Sequence, residues 1–205
     1  MDYNSFIFDN FPRWELVPAA NIASWHWEGA EPFRPPSFAQ LCGVAGKGLY
    51  ARLWSFESNP RHVCINRDDP VYTDSCLELF LQPVPGNAAY VNFEMNCNGV
   101  TLSQFGKKRQ GRVFLKEFCT LEPQVSPFET VENGQTAWGV ELFLSDSLIA
   151  EIYGIDYKTK PCTIRGNFYK CGDKTPRAHY GAYFPAGPAM LGFHNPSRFG
   201  SIILK

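Results

Sequence analysis

The sequence has few charged residues, and neither sign of charge is in excess. Charged residues make up 19% of the 205 residues, and 19 Lys and Arg against 20 Asp and Glu give a net charge of −1. Soluble domains carry about 25% charged residues. Proteins that bind nucleic acids or anionic membranes usually have a basic surplus, so we expect neither a nucleic-acid nor a membrane partner.

Long apolar runs and leader-like features are also lacking. The sequence holds no run of about 18 apolar residues of the kind that forms a transmembrane helix. Its first five residues contain no basic segment followed by an apolar core, so no signal peptide is expected. These features predict a cytoplasmic location.

The seven cysteines lack the spacing of a metal or redox motif. No CxxC pair occurs, and an odd number of cysteines cannot all pair within one chain. Cys76 and Cys97 lie inside apolar runs, as small reduced core residues do. We expect free thiols in a reducing compartment, no metal and no cofactor, while a structural calcium ion is not readable from the sequence. The four histidines show no metal spacing, and no GxSxG nucleophile elbow is present.

Aromatic and turn-forming residues are abundant instead. Phe, Tyr and Trp make up 15% of the chain, which also has 17 Gly and 16 Pro. Apolar and polar residues alternate along several segments, which is the period of a half-buried strand. The predicted strands are residues 49–56, 76–82, 90–97, 112–118, 136–144, 162–169 and 201–204.

Together these segments predict an all-β fold. Strands at this spacing, separated by turns such as Asn133-Gly134, indicate an antiparallel β-sandwich of jelly-roll type that forms one domain over residues 1–205. One short helix is expected, with Ser145 as its N-cap and Gly154 at its end. The proline-rich first 45 residues or so are predicted to wrap irregularly around the core.

Alternation also places polar side chains of three predicted strands on one face. The short connection between the first two of these strands predicts a hairpin, which would bring Glu78 to the same side of a sheet as Glu94. Sugar hydroxyls both donate and accept hydrogen bonds, so carboxylates, amides and guanidinium groups suit them. A pyranose ring also packs on an aromatic ring, which Tyr72 is placed to supply. The predicted ligand-binding residues are Tyr72, Glu78, Asn92, Glu94, Asn96, Arg165, Asn167 and Tyr169.

Other interpretations of this face stay open at this point. Glu78 and Glu94 are a carboxylate pair that a small glycoside hydrolase or sugar-modifying enzyme could use, at a separation of about 5 Å in a retaining enzyme. The face could instead bind a protein. A solvated face of any antiparallel sandwich shows the same polar alternation.

Several segments resemble a known family. Segment 71–80 (VYTDSCLELF) resembles the signature strand of family 9 carbohydrate-binding modules, in which an aromatic residue precedes an acidic pair and, six residues on, a glutamate; Tyr72 and Glu78 keep that spacing. Segments 90–96 (YVNFEMN), 166–173 (GNFYKCGD) and 194–200 (HNPSRFG) resemble its stand-alone, family 9-like branch. The similarity runs from about residue 49 to the C-terminus and is looser before it.

This resemblance implies a β-sandwich that binds a mono- or oligosaccharide, derived from xylan or cellulose, without catalysis. In the modules attached to xylanases, two tryptophans clamp the terminal sugar, and a glutamate and an asparagine hydrogen-bond it. By position, Tyr72 takes one side of the clamp, Glu78 is the glutamate and Asn167 is the asparagine. Lys170 stands where the family has the second tryptophan, and Tyr169 is the neighbouring ring that could replace it. The resemblance implies no oligomeric state.

Overall fold

Two β-sheets pack face to face in the structure, a computed structural model that describes residues 2–27, 29 and 31–205. In chain order the strands are β1 (Asp2–Ser5), β2 (Ile7–Phe8), β3 (Ala20–Asn21), β4 (Ser24–Trp25), β5 (Ser37–Val44), β6 (Gly48–Ser55), β7 (Cys76–Gln82), β8 (Tyr90–Asn96), β9 (Thr101–Gly106), β10 (Val113–Phe114), β11 (Gln124–Glu132), β12 (Gln135–Ser145), β13 (Cys162–Cys171), β14 (Tyr180–Ala182) and β15 (Gly200–Leu204). Helix α1 spans Asp146–Tyr153.

Within the described residues, one sheet has nine strands and the other has six. The larger sheet has the order β1-β15-β13-β7-β8-β9-β10, with β14 paired to β13 and β4 paired to β14. The smaller has the order β11-β12-β6-β5-β2, with β3 paired to β5. The predicted β-sandwich with one short helix is confirmed. It is not purely antiparallel, however, because β1 runs parallel to β15 and β2 parallel to β5.

The core between the sheets follows the alternation in the sequence. Leu77 and Leu79 of β7, Phe93 of β8 and Phe168 of β13 are fully buried there. The opposite face of these strands is also covered, because a second apolar cluster that includes Phe199 packs against it. Strands β7 and β8 are therefore buried on both faces rather than solvated on one.

Helix α1 confirms its predicted ends. The Ser145 hydroxyl accepts a hydrogen bond from the Leu148 amide at 3.0 Å, and Gly154 adopts a left-handed conformation with φ 62°. That conformation suits glycine because it has no Cβ to clash. Of the described residues, no helix is long and apolar enough to span a bilayer.

Two local predictions are wrong. Residues 112–118 do not form a strand: only Val113–Phe114 pairs with β9, and Leu115–Glu117 forms a 3₁₀ turn that inserts Leu115 into the core. The first 45 residues are more than an irregular wrap, since they supply β1 and all of β5, a strand inside the smaller sheet. Strands β9, β11 and β14 were not predicted from the sequence.

All seven cysteines are free thiols. Four of them are buried, namely Cys42, Cys64, Cys76 and Cys171. The other three are partly exposed. The interpretation of the cysteines as core residues therefore fits the four buried ones. Two of these, Cys76 and Cys171, lie directly opposite each other on β7 and β13.

Candidate functional site

A cavity of about 550 Å³ lies on the outer face of the nine-stranded sheet, over β7, β8 and the end of β13. Of the eight predicted ligand-binding residues, Tyr72, Glu78 and Glu94 line it. The other lining residues are Trp27, Phe80, Arg109, Cys171, Asp173, Tyr180, Ala189, Gly192, Phe193 and His194. A larger groove of about 1010 Å³, bordered by Glu57 and Trp138, contains none of the eight.

The floor of the cavity is formed by two buried carboxyl groups. Glu78 and Glu94 stand opposite each other in the antiparallel β7–β8 register and are only 2% and 3% exposed. The hairpin expected from the sequence is therefore present. Oε1 of Glu94 accepts a hydrogen bond from the Asn92 amide at 2.8 Å, whereas its Oε2 has no hydrogen-bond partner among the residues that the structure describes.

Burial controls the protonation of both groups. Loss of water disfavours the charged form and raises the pKa of Glu78 well above its usual value, an effect to which the Cys171 thiol and Glu94 add. Burial also raises the pKa of Glu94 to about 7, although Asn92 and Arg112 favour its ionised form. Both carboxyl groups of the floor therefore keep a proton to higher pH than an exposed glutamate does. A protonated carboxyl can both donate and accept, as a sugar hydroxyl does.

Asn92 and Arg112 hold Glu94 in place from beneath. The Arg112 guanidinium donates to Asn92 Oδ1 from Nε at 3.1 Å and to the Gln104 carbonyl at 2.8 Å. It also lies 3.9 Å from the centre of the Tyr90 ring. Asn92 is fully buried, so it positions Glu94 rather than lining the cavity. Sequence reasoning placed Arg112 in a strand and did not foresee this support.

One wall of the cavity is the ring of Tyr72. It lies in a 3₁₀ turn, Val71–Thr73, that leads into β7. The turn is fixed to the end of β13 because the Tyr72 carbonyl accepts a hydrogen bond from the Asp173 amide at 3.0 Å. The side chain is 42% exposed, so its ring is available to pack against a ligand.

Aromatic residues that were not predicted from the sequence form a further part of the cavity wall. The Trp27 ring lies 5.4 Å from Phe193 and 5.6 Å from Tyr180, measured between ring centres. Trp27 has φ 51°, a left-handed conformation that is unusual for a bulky residue and often marks a functional position. The segment 194–200, which carries part of the family resemblance, directly follows Phe193 and was the available signal for it. Trp27 lies in the first 48 residues, where the resemblance is looser.

His194 closes the cavity beside Phe80. It shares a hydrogen bond of 2.9 Å with the Tyr90 hydroxyl, and its ring centre is 4.9 Å from that of Phe80. Burial, together with the positive charges of Arg112 and Arg109, lowers the pKa of His194 to about 3. The imidazole is therefore neutral at physiological pH and adds no positive charge to the floor.

The comparisons with known proteins identify the family. The model of carbohydrate-binding family 9 matches residues 13–204. The chain belongs to carbohydrate-binding family 9. Three solved structures share the fold of this family 9 chain, and a search of curated proteins finds no match.

The first is a putative carbohydrate-binding protein from Bacteroides uniformis ATCC 8492, with 21% identity, 98% of each chain covered and a TM-score of 0.78. The others are a family 9 module from Caldicellulosiruptor kristjanssonii in complex with cellotriose and with glucose. The cellotriose complex has 14% identity, a TM-score of 0.63, and coverage of 98% of this chain and 93% of that one. The glucose complex has 14% identity, a TM-score of 0.64, and coverage of 98% and 95%.

The family 9 asparagine expected at position 167 does not reach the cavity. Asn167 is fully buried, and its amide donates to the Phe184 carbonyl at 2.8 Å. Its Oδ1 accepts from the amides of Phe184 and Phe168, both at 2.9 Å. Its hydrogen-bonding groups thus fix the segment that follows β14 instead of facing a ligand.

The two positions considered for the second side of the clamp also lie outside the cavity. Tyr169 is 1% exposed and stacks under Phe193 with 4.0 Å between ring centres, so it supports the wall from behind. Lys170 faces the space between the sheets, where its Nζ lies 3.0 Å from Glu57 Oε2 and 2.7 Å from His179 Nε2. The residue type at position 170 therefore does not shape the cavity of this family 9 chain.

Two more predicted residues serve the surrounding loops. The Asn96 amide donates to the Cys64 carbonyl at 3.0 Å and to Asp74 Oδ2 at 3.1 Å. Arg165 is exposed, and its guanidinium donates to the Phe199 carbonyl at 2.6 Å. Neither lines the cavity. The structure therefore brings together Tyr72, Glu78 and Glu94, with Asn92 behind them, and leaves the other four predicted residues outside.

One group of buried side chains at the edge of the cavity, two of which line it, has the composition of a metal site. The ligand atoms of Cys76, Glu78 and Cys171 all lie within 4.8 Å of one another. The two cysteines lie on different strands and far apart in the sequence, so they do not form a CxxC motif that could be recognised from the sequence.

Proposed function

We propose that this protein is a non-catalytic carbohydrate-binding module, and that its ligand, a mono- or oligosaccharide, enters the cavity over β7 and β8. One observation carries the proposal. Two buried carboxyl groups, Glu78 and Glu94, form a polar floor between aromatic walls in a single cavity of about 550 Å³. Ligand sites of this size, largely apolar with a few convergent polar groups, are typical of small-molecule binding.

The floor matches the chemistry of sugar hydroxyls. Oε2 of Glu94 is buried without a hydrogen-bond partner among the described residues, which costs free energy until a donor reaches it. A sugar hydroxyl supplies such a donor. The neutral carboxyl of Glu78 can donate to a second hydroxyl or accept from it.

The walls match the apolar faces of a pyranose ring. Tyr72 and Trp27 both line the cavity. Stacking on aromatic rings contributes about 0.5–1.5 kcal/mol beyond the area buried. Trp27 is thus the residue we propose for the side of the clamp that positions 169 and 170 do not supply.

Structural neighbours support a ligand built of pyranose rings, a class that includes the sugars derived from cellulose and xylan. The Caldicellulosiruptor kristjanssonii module has been solved with glucose and with cellotriose, both of which present pyranose rings. With a few hydrogen bonds and one or two stacked rings, we expect a net binding free energy of about 4–6 kcal/mol, or a Kd between roughly 40 μM and 1 mM.

Calorimetry in the presence of a metal chelator tests the proposal. The wild-type protein is titrated with glucose, xylose, galactose, cellobiose and xylobiose, and the ligand that binds is then titrated into Glu78→Gln. We expect heat with at least one sugar and an affinity about tenfold lower in the variant. Glu129→Gln is the matched control, because that carboxylate is exposed on β11 of the other sheet. The absence of heat with every sugar, or equal affinities in both variants and the wild type, would refute the site.

Glycoside hydrolysis is the second candidate, favoured by the opposition of Glu78 and Glu94. Glycosidases pair a protonated carboxylic acid with an ionised carboxylate, and the raised pKa values of this pair fit such an arrangement. Release of product from aryl glycosides, abolished in Glu94→Gln, would establish hydrolysis. Full sugar binding with no turnover across an aryl glycoside panel would exclude it.

A further inference from the structure

Three metal-ligating side chains converge next to β13, where Glu78 and Cys171 line the cavity and Cys76 lies beside them. Cys76 and Glu78 are two residues apart on β7 and so point to the same face, while Cys171 of β13 stands opposite Cys76 in the register. All three are at most 2% exposed. Their convergence is therefore built into the sheet and does not depend on flexible surface side chains.

We propose that Cys76, Glu78 and Cys171 bind a soft divalent metal ion of the zinc class, with a fourth coordination position open to the cavity and facing Glu94. The inference goes beyond sugar binding and does not rest on it.

The geometry is close to that of a coordinated ion. With Zn–S bonds of about 2.3 Å and Zn–O bonds of about 2.1 Å, ligand atoms in a tetrahedral site lie roughly 3.5–4 Å apart. The three ligand atoms here lie within 4.8 Å of one another, so small side-chain rotations suffice to close the site. In the metal-free form the Cys171 thiol donates a hydrogen bond to Glu78 Oε1 at 2.8 Å, which holds two of the ligands in contact.

The donor set selects the class of metal. Calcium and magnesium take oxygen ligands almost exclusively, whereas two thiolates with one carboxylate favour zinc and its softer relatives. Three protein ligands with a fourth position left open are typical of zinc sites that bind a water or a ligand.

Glu94 supplies an independent second observation. Glu94 lines the same cavity, and its buried Oε2 has no hydrogen-bond partner among the described residues. A water or hydroxyl bound to the metal would donate to that oxygen and so remove the cost of leaving it unpaired.

Metal binding must displace protons from the ligands. Burial raises the pKa of the Cys76 thiol to about 12 and that of Cys171 well above its usual value, so both are thiols without metal. Coordination releases the two thiol protons and the Glu78 proton to solvent, and the divalent cation compensates two of the three negative charges that remain on the ligands. Lys170, whose Nζ donates to the Cys171 carbonyl at 3.0 Å, adds a positive charge nearby.

Titration of the reduced full chain with Cd²⁺ tests the inference, because cadmium–thiolate bonds have an ultraviolet charge-transfer band. We expect the band to saturate at one Cd²⁺ per chain and to disappear on competition with excess Zn²⁺. Since even residues behind the ligands typically change metal affinity 10–100-fold, we expect Cys171→Ser to weaken binding by more than about 100-fold. Glu78→Gln, which keeps both thiols, should still weaken it by at least about tenfold.

Cys42→Ser is the matched control, because Cys42 is equally buried but lies in a separate apolar cluster. It should bind Cd²⁺ as the wild type does. No band in the wild-type protein, or equal losses in Cys42→Ser and Cys171→Ser, would overturn the proposal. If Cys171→Ser does not fold, the Cd²⁺ affinity of Glu78→Gln tests the proposal instead. A Cd²⁺ affinity equal to that of the wild type would contradict the proposal. Sugar calorimetry in chelator fails or succeeds independently of these outcomes.

Discussion

Glu78 of β7 lies directly across from Glu94 of β8, and both carboxyl groups are buried at the floor of one cavity. Like charges directly opposite each other on a sheet are destabilising, and burial without a cation increases that cost. The pair persists because it is partly protonated, with the pKa of both groups raised. A floor that is kept polar at a cost in stability is expected where a ligand is bound.

The Tyr72 ring is expected to contribute to sugar binding but not to stability. Tyr72→Ala should lower the affinity about five- to tenfold, because one stacked ring is lost, whereas Tyr72→Phe should stay within about twofold. Calorimetry with the preferred sugar measures this change. Phe118→Ala is the control, since Phe118 is similarly exposed at 41% but does not line the cavity. Equal losses in Tyr72→Ala and Phe118→Ala would contradict the proposed wall.

Asn92→Ala is expected to damage both the fold and the floor. It removes the donor to the buried Glu94 carboxyl and one of the acceptors of Arg112, which keeps its bond to the Gln104 carbonyl. We expect the free energy of unfolding to fall by about 2–4 kcal/mol and the sugar affinity of the folded protein to fall at least fivefold. Urea unfolding and calorimetry measure the two effects. Unchanged sugar affinity would show that Asn92 does not position Glu94.

Asn167→Ala, unlike Asn92→Ala, is expected to lower the stability of the fold without lowering sugar affinity. Its amide group bonds both backbone groups of Phe184, so its loss leaves buried peptide groups unpaired and should also cost about 2–4 kcal/mol of unfolding free energy. Because Asn167 does not line the cavity, sugar affinity measured on the folded fraction should stay within about twofold of wild type. A large loss of affinity without loss of stability would instead support the role that the family resemblance gives to this position.

His179 is expected to make stability sensitive to acid. It is buried against Lys170, with Glu57 and Arg177 also close, and burial together with the Lys170 charge lowers its pKa to about 4. The unfolded state, with a pKa near 6.5, takes up the proton first as the pH falls. The contribution of His179 is therefore complete above about pH 6.5 and is lost as the pH falls towards 4, by about 2 kcal/mol at pH 5.

The comparison of His179→Gln with wild type isolates this effect. Glu78 and Glu94 have the opposite sign, because their raised pKa values give stability that is lost as the pH rises. His194, with its pKa lowered to about 3, has the same sign as His179. Urea unfolding at pH 7 and pH 5 should show a smaller loss in His179→Gln than in wild type. Identical losses in the two proteins would contradict the prediction.

Alternation in the sequence was sufficient to predict the two faces of β7 and β8, because side chains on a strand point alternately to opposite sides. It therefore placed Glu78 and Glu94 on one side of one sheet. Alternation does not reveal what covers a face. Asn167 was assigned to the polar face, but its side-chain amide donates a hydrogen bond to the backbone carbonyl of Phe184, which comes from another part of the chain. That bond makes the amide unavailable to a ligand.

The aromatic wall of Trp27 and Phe193 could not be derived in the same way. Both residues come from segments without regular alternation, and the pairing of β4 with β14 helps to bring these segments together. The cysteine pair had the same difficulty, since Cys76 and Cys171 meet through strand register rather than through sequence spacing. Short-range sequence patterns predict the side of a strand on which a side chain lies. These contacts depend instead on which distant segments of the chain pair in the folded protein.

The floor of the cavity and the aromatic wall of Trp27 and Phe193 come from different parts of the chain, which has a consequence for the order of folding. The floor comes from the β7–β8 hairpin, whose contacts are local and can form early, whereas Trp27 and Phe193 meet only after both ends of the chain have docked. During synthesis on the ribosome, the wall is incomplete until the last strands emerge. Acquisition of ligand affinity would thus mark the completion of folding, later than the appearance of β-sheet structure.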